Sequence, residues 1–586
     1  MVRARLFIGV LGALLSTSIL SQAHAKHNPD TAQALCPDIV LVGGEHIDFT
    51  DSEKRLVCGD TKTPAWQHIP HTQAAFHLGV FLQDRGYFQP HVSTRDGVLI
   101  VDVGPFTTIT AIEVIAPTPY LHLERKRKLK GYRLTPKRLS ELQNWTTQQL
   151  RAAGFPCPEV ASTANPHTGV ITLEINTGPR QSIATIIEEP VEGLAPGVLR
   201  RYDAFTFDQP YNGDFLRLTA ERIEQAGFLQ NTYFSPECGK DGASVTEHVI
   251  AGPPRLIILG FGVNTEGLVT GKASWRHTRL GRLGSLIDVT ALASYHTQQL
   301  NVLSEWYFLD PPARFHFEPL LSITQEYESD YHYLSANLRL SPAMTWDDAS
   351  KQQKLVIGPD LSYIRTFKGA ETGFKRFVSL DAQYQLISHT FEFYRPSPRT
   401  GYSMVVDTRF SHRDLLSDLS AQAFTLVGEQ LWNVRRYDPP LLVLGVRGGL
   451  FTTLYNDAPE RFSELPPNFL HYLGGSTTVR GFGRKEVPDR SRGALTAAFA
   501  SVEARLAYVI PYGIQPFVFF DIGAIGDETL RPTLPLLASP GVGIRFESRI
   551  GPFRATAAHG VTYGEETAVT DDLTHWQFYF SFGEEF

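Results

Sequence analysis

Few residues in this 586-residue chain have the types and spacing to do chemistry, and they gather late. Leu473-Gly474-Gly475-Ser476-Thr477-Thr478-Val479-Arg480-Gly481-Phe482 reads as a glycine-bounded loop with an arginine at its tip. Further on, Phe519-Phe520-Asp521-Ile522-Gly523 reads as a strand carrying one carboxylate. An arginine and an aspartate so placed can form a buried ion pair that pins a long loop to the wall of a large barrel. A surface turn that happens to hold an arginine is the plain alternative. Enzymatic chemistry finds no footing: there is no Gly-x-Ser-x-Gly, no His-Glu-x-x-His and no phosphate loop, and Ser476 has no evident base. No enzyme activity, cofactor or metal is expected.

The elements around this pair alternate with the period of strands. Val502, Ala504, Leu506 and Tyr508 are interleaved with Glu503 and Arg505, and Ile544 and Phe546 with Arg545 and Glu547. Near the end, Trp576, Phe578, Phe580 and Phe582 alternate with Gln577, Tyr579 and Ser581, followed by Gly583 and, at the terminus, Phe586. Aromatic rows on one face and polar rows on the other suit a barrel with lipid outside and a wet lumen. About 330 residues at roughly 20 per strand and turn predict about sixteen strands over 254–586. No run after residue 25 is apolar for long enough to make a spanning helix.

The first half is a threefold repeat. Gly104-Pro105, Gly178-Pro179 and Gly252-Pro253 fall at one even interval of 74 residues (104 to 178, 178 to 252), each after a strand-like run. Upstream of each lies a helical segment ending in glycine and an aromatic: Gly86-Tyr87, Gly154-Phe155 and Gly227-Phe228. The same punctuation three times predicts tandem α+β modules at 34–104, 105–178 and 179–252, each ordered strand-helix-helix-strand-strand and hinged at the Gly-Pro pairs. The run Glu124-Arg125-Lys126-Arg127-Lys128-Leu129-Lys130 is expected to be a solvated helix face, with contact to lipid headgroups or an acidic partner as the alternative.

Arg3 and Arg5, an apolar run from Leu6 to Leu15 and the small-x-small site Ala23-His24-Ala25 predict a secretory signal peptide at 1–25. In an exported chain Cys36 and Cys58 could close a disulfide loop, while Cys157 and Cys238 are far apart, and the sequence leaves open whether they are paired or free and buried. The net charge of −7 gives no reason to expect nucleic acid.

The repeats resemble POTRA modules, and the whole mature chain resembles the POTRA-plus-barrel superfamily that includes BamA, TamA and the two-partner secretion transporters. The marks are Val479-Arg480-Gly481-Phe482, similar to the family's [VI]RG[FY] loop, and Phe520-Asp521-Ile522-Gly523, similar to its FxDxG strand. Three modules and the ending Phe580-Ser581-Phe582-Gly583 look most like the TamA branch.

The resemblance implies an outer-membrane barrel with periplasmic modules, in which Arg480 pairs with Asp521, and Val479, Gly481, Phe482 and Gly523 shape the lock. It implies an assembly factor that helps insert or export unfolded β-rich clients by strand capture. A barrel seam would open between residues 256–263 and 574–582, weakened by Gly260, Gly262 and Gly583. Implied partners are the outer-membrane bilayer, β-rich clients and an inner-membrane-anchored partner of the TamB type, with a monomeric barrel. A dedicated secretion pore and a passive channel are the alternatives.

Overall fold

The computed structural model describes residues 32–43, 46–60, 63, 67–207, 209–394, 397–456, 462, 464–488, 492–548, 551–564 and 576–583. The leader expected at 1–25 and Phe586 lie outside the described residues. The chain forms two compact units. One comprises residues up to Leu121 with Lys128–Thr147 and Pro158–Thr177, the other His122–Arg127, Gln148–Cys157 and everything from Gly178.

Three small sheets share one plan. The first holds β1 (Ala32–Cys36), β2 (Ile39–Val42), β3 (His91–Arg95) and β4 (Val98–Asp102), with helices α1 (Asp51–Cys58) and α2 (His71–Asp84). The second holds β5 (Ala111–Ile115), β6 (Glu159–Ala164) and β7 (Val170–Asn176), joined through α3 (Pro136–Ala152). The third holds β8 (Ile183–Glu188), β9 (Leu229–Cys238) and β10 (Ala243–Ala251), with α4 (Gly213–Ala226). In each, the last strand lies in the middle. It runs parallel to an earlier strand (β2–β4, β5–β7, β8–β10) and antiparallel to the one before it. These are POTRA-like α+β modules.

Local signals set the helices. Thr50 and Glu53 make a reciprocal capping box at the start of α1. Asn212 caps α4 by accepting from the Asp214 and Phe215 amides, and Gly227 ends it in the left-handed region at φ +79°. The first helix expected in the second and third modules is only a 3-10 turn, Leu123–Arg125 and Leu199–Tyr202. Pro117 and Pro119 precede one turn, Pro190 and Pro196 the other, and prolines remove the donors a longer helix needs. Gly104 and Gly178 are left-handed (φ +65° and +64°), whereas Gly252 is not.

Cys36 is joined to Cys58, and Cys157 is joined to Cys238, because β9 brings Cys238 back beside the end of the α3 segment at a Cα separation of 6.3 Å. One expectation is corrected. The basic run is not a solvated helix. Around its 3-10 turn, Lys126 pairs with Asp438 at 3.7 Å and the Arg127 amide donates to the Asp438 carbonyl at 2.8 Å.

The rest is a closed barrel. Its strands are β11 (Arg255–Asn264), β12 (Leu268–Leu280), β13 (Ser285–Ala293), β14 (Thr297–Glu305), β15 (Phe315–Tyr327), β16 (His332–Asp347), β17 (Lys351–Lys368) and β18 (Gly373–Ser388). After the short helix α5 (His389–Phe393) come β19 (Gly401–Ser411), β20 (Ala421–Asn433), β21 (Leu442–Tyr455), β22 (Thr496–Leu506), β23 (Ile514–Glu528) and β24 (Arg531–Ser548). The set ends with β25 (Gly551–His559), β26 (Val561–Tyr563) and β27 (Trp576–Gly583). β25 and β26 both pair with β24 and are one strand broken at Gly560, so the described barrel has sixteen antiparallel strands.

Among the described residues no helix is long and apolar enough to cross a membrane. The strands instead turn Leu338, Leu340, Val502, Phe520, Ile522, Val542 and Ile544 outward. Ser274, Asp288, His316, Glu318 and Asp360 are buried inside. A lipid-facing apolar surface around a polar lumen is the pattern of a membrane-spanning barrel of outer-membrane type. β11 begins and β27 ends at one rim, the near rim; residues 456–495 connect β21 to β22 from the opposite, far rim.

Candidate functional site

The β21–β22 connection folds into the lumen. Its neck is closed by paired backbone bonds between Leu473 and Val487, and the Gly475 amide donates to the Phe482 carbonyl at 2.8 Å. Val479 and Phe482 are fully buried with Leu473, Phe499, Ile525 and Leu537, so an apolar cluster seats the loop before any charge is involved.

Arg480 completes the seat. Its Nε and Nη2 donate to the two oxygens of Asp521 on β23 at 2.9 and 2.7 Å, and its backbone amide donates to the same carboxylate at 3.0 Å. Nη2 also donates to Ser501 Oγ at 3.0 Å and Nη1 to Glu503 at 3.2 Å, both on β22. Ser501 in turn donates to Asp521 at 2.6 Å, and the guanidinium lies 3.3 Å from the centre of the Phe519 ring. The two charged side chains are 1% and 0% exposed. A bidentate pair with its remaining donors satisfied is the geometry in which a buried charge is tolerable.

Two glycines make room. A Cβ on Gly481 would stand 2.5 Å from the Gly560 Cα, at the break between β25 and β26. One on Gly523 would stand 2.7 Å from Val479 Cγ2. Loop and wall approach so closely that neither position has space for a side chain.

Two more contacts tie the loop to both edges of the barrel's closure. Ser476, by its amide at 3.2 Å and by its hydroxyl, donates to Glu266 in the turn after β11. Tyr579 of β27 donates its phenol to the Phe482 carbonyl. Toward the far rim, Arg484 pairs with Glu328 at 2.8 Å, and Lys485 pairs with Glu326 and donates to Tyr331 at 2.6 Å.

The closure itself is slight. Among the described residues β11 and β27 pair only at Gly262↔Gly583, Val263↔Phe582 and Asn264↔Ser581, with the Thr265 amide donating to the Phe580 carbonyl and the Phe580 amide to the Thr265 hydroxyl. Along residues 255–261, β11 has no partner on the β27 side among the described residues. Gly583 sits at φ +94°, and a Cβ there would meet the Phe261 carbonyl oxygen at 2.3 Å, so β27 bends at the point where it touches β11. Trp576, Phe578 and Phe580 point outward and exposed, while Tyr579 is turned in.

At the near rim the third module covers the mouth. Arg222 of α4 donates to Glu392 of α5 at 2.8 and 2.6 Å and to Asp347 at 3.1 Å; Arg314 shares Asp347 at 2.6 Å. Arg201 donates to the Ala313 carbonyl at 2.9 Å and stacks on Tyr307. Beside them, burial pushes the Asp203 carboxyl up to about 7 even though Arg200 lies 3.0 Å away. Burial wins because Arg200 also serves Glu188 at 2.9 Å and the buried Glu247.

Sequence reasoning singled out Arg480 and Asp521, which the fold brings together. It missed Ser501, Glu503, Phe519, Glu266, Tyr579 and the arginines of the third module. The available signal for Glu503 and Phe519 was their place on the same alternating face as Asp521.

The Omp85 superfamily domain matches residues 321–586. Among solved structures, BamA from Haemophilus ducreyi lacking POTRA domains 1–3 is similar at 15% identity, over 82% of this chain and all of that one, with a TM-score of 0.49. CdiB from Acinetobacter baumannii is similar at 12% identity over 81% of this chain and 89% of its own, TM-score 0.46. CdiB from Escherichia coli is similar at 12% over 88% and 97%, TM-score 0.45. Likeness at that level says nothing of activity. Residues 321–586, which hold the locked loop and the β27 side of the closure, are thus an Omp85 superfamily domain.

Proposed function

We propose that this protein is an outer-membrane assembly factor, without enzymatic activity, that helps insert or export β-rich client proteins. The observation that carries the reading is the seam: among the described residues three residue pairs close it, and residues 255–261 of the β11 edge have no partner on the β27 side. A closed barrel has no edge for another chain to join; a weak seam supplies one, and exposed backbone donors and acceptors are a template for strand addition. The central-strand plan of the modules leaves β3, β6 and β9 at sheet edges, which suits capture of extended segments on the periplasmic side. Three such modules support the TamA-like form of the reading. A lumen crossed by the Arg480 loop and a mouth covered by α4 fit a passive channel poorly.

Cysteines at Val263 and Phe582, which are register partners, would staple the seam. Oxidation should abolish insertion of a β-barrel client into proteoliposomes and reduction should restore it, with the unsubstituted protein taken through the same cycle as control. Full activity in the stapled form would reject the seam mechanism. After depletion in cells, loss of several unrelated barrels supports general assembly, whereas a single stranded secreted protein indicates a dedicated pore.

A further inference from the structure

The barrel wall that holds Arg480 carries more arginine than the loop lock uses. Arg447 on β21, Arg505 on β22, Arg545 on β24 and Arg554 on β25 line, with Arg480, one lumen cavity of about 100 Å³. The carboxylates lining it are Glu429 and Glu503. Glu503 is already divided between Arg480 at 3.2 Å and Arg554 at 3.6 Å, and Arg545 reaches Glu547 only at 3.7 Å.

Three observations point to an anion-binding role for this wall. Arg447, opposite Glu429 in register, makes no hydrogen bond or ion pair among the described residues and stacks on Phe499 instead. Arg505 is 6% exposed, donates Nη2 to the Pro398 carbonyl at 3.1 Å and, among the described residues, has no carboxylate in ion-pair range and no partner for its buried Nε. Arg545 and Arg554 are direct cross-strand partners, an arrangement in which like charges repel. Desolvated guanidiniums short of acceptors, as at Arg447 and Arg505, are unfavourable, and the planar forks of these arginines match a tetrahedral oxyanion with several oxygens.

Arg447 and Arg554 also line a larger lumen cavity of about 460 Å³, which reaches Val263, Thr265, Phe580 and Phe582 at the seam. An anion at these arginines is therefore next to the weak closure. We propose that Arg447, Arg505 and Arg554 form a binding site for a phosphate-class oxyanion, supplied either as free phosphate or as the phosphate headgroup of a membrane amphiphile entering from the seam.

The test is calorimetric titration of the full chain, purified in a maltoside detergent without phosphate, with inorganic phosphate, dihexanoyl phosphatidic acid and, as comparator, dihexanoyl glycerol. Saturable binding of a phosphate-bearing probe that weakens with salt is expected. Arg447→Gln should weaken it about ten-fold, and Glu429→Gln, which removes a lining carboxylate, should tighten it. Equal binding of phosphate and phosphatidic acid assigns a soluble oxyanion; clearly tighter phosphatidic acid assigns the headgroup. The proposal is overturned if neither phosphate probe binds protein that keeps its heat-modifiable barrel form, or if dihexanoyl glycerol binds as well. It is equally overturned if Arg447→Gln and Arg505→Gln both bind like the unsubstituted chain.

Discussion

Arg480 and Arg222 are both buried arginines gripping carboxylates, yet they are built for different tasks. The partners of Arg480 are neighbours on adjacent strands: Asp521, Ser501 and Glu503 come from β22 and β23, which pair continuously from Thr496↔Gly526 to Arg505↔Phe517. Its position is over-determined by the sheet beneath it. The partners of Arg222 come from the end of β16 and from α5, which no strand pairing ties to α4; Phe215 against His389 and Arg217 over Phe393 are further side-chain contacts there, and Asp347 keeps one buried oxygen without a partner among the described residues. The difference shows how one side chain serves as a fixed lock where the backbone holds its partners together, and as a latch where it does not.

Removing the lock should have the largest effect. Arg480→Ala strands Asp521 in the wall and should cost about 3–5 kcal/mol of barrel stability, read as a lower temperature of the heat-modifiability transition. Adding Asp521→Ala to that variant should restore part of the loss, because no lone charge then remains buried. An unchanged transition in the single variant would remove the distinction between lock and latch.

Removing the latch should act elsewhere. Arg222→Ala should leave the barrel transition in place and weaken docking of α4 by about 1.5–3 kcal/mol, visible as faster proteolysis within residues 179–252. The smallest effect concerns pH. Because the Asp203 carboxyl is raised in the folded state, its stabilising share is complete below its ordinary value of 3.8 and is lost as pH rises through about 7. Lowering the pH from about 8 to about 6 should therefore firm this region by about 1 kcal/mol, and Asp203→Asn should remove that dependence. The comparison with Asp203→Asn also separates it from His389 of α5, whose burial-lowered imidazole acts in the opposite sense.

What was legible in the sequence follows from the range over which each signal acts. The Arg480 loop and the Asp521 strand could be paired on paper because both are short patterns of unusual residue types. Strand alternation gave the barrel, and the Gly-Pro interval gave the modules. Ser501 and Glu503 were hidden because strand register is set between chains of residues distant in sequence, so alternation gives a face but not a neighbour. Arg222 was hidden among Leu216, Thr219, Ala220 and Ile223, a face that explains the core of α4 without asking what its arginine meets. The basic run misled because six charged residues around one leucine look the same on a solvated helix and on a turn that seats Lys126 against Asp438. The pairing of Cys157 with Cys238 stayed open because sequence distance says nothing of a strand's return path.

The contacts from Glu266 and Tyr579 to the loop have a consequence for energetics. One holds the β11 edge and the other the β27 edge, and both end on the segment that Arg480 fixes. Spreading the seam and shifting the loop are then coupled equilibria, and coupling of this kind is reciprocal. Whatever free energy the seated loop adds to the closed seam, a strand that wedges the seam apart must subtract from the seating of the loop. A client at the membrane face would thus be felt in the middle of the lumen, and a molecule bound in the lumen would set how readily the wall parts.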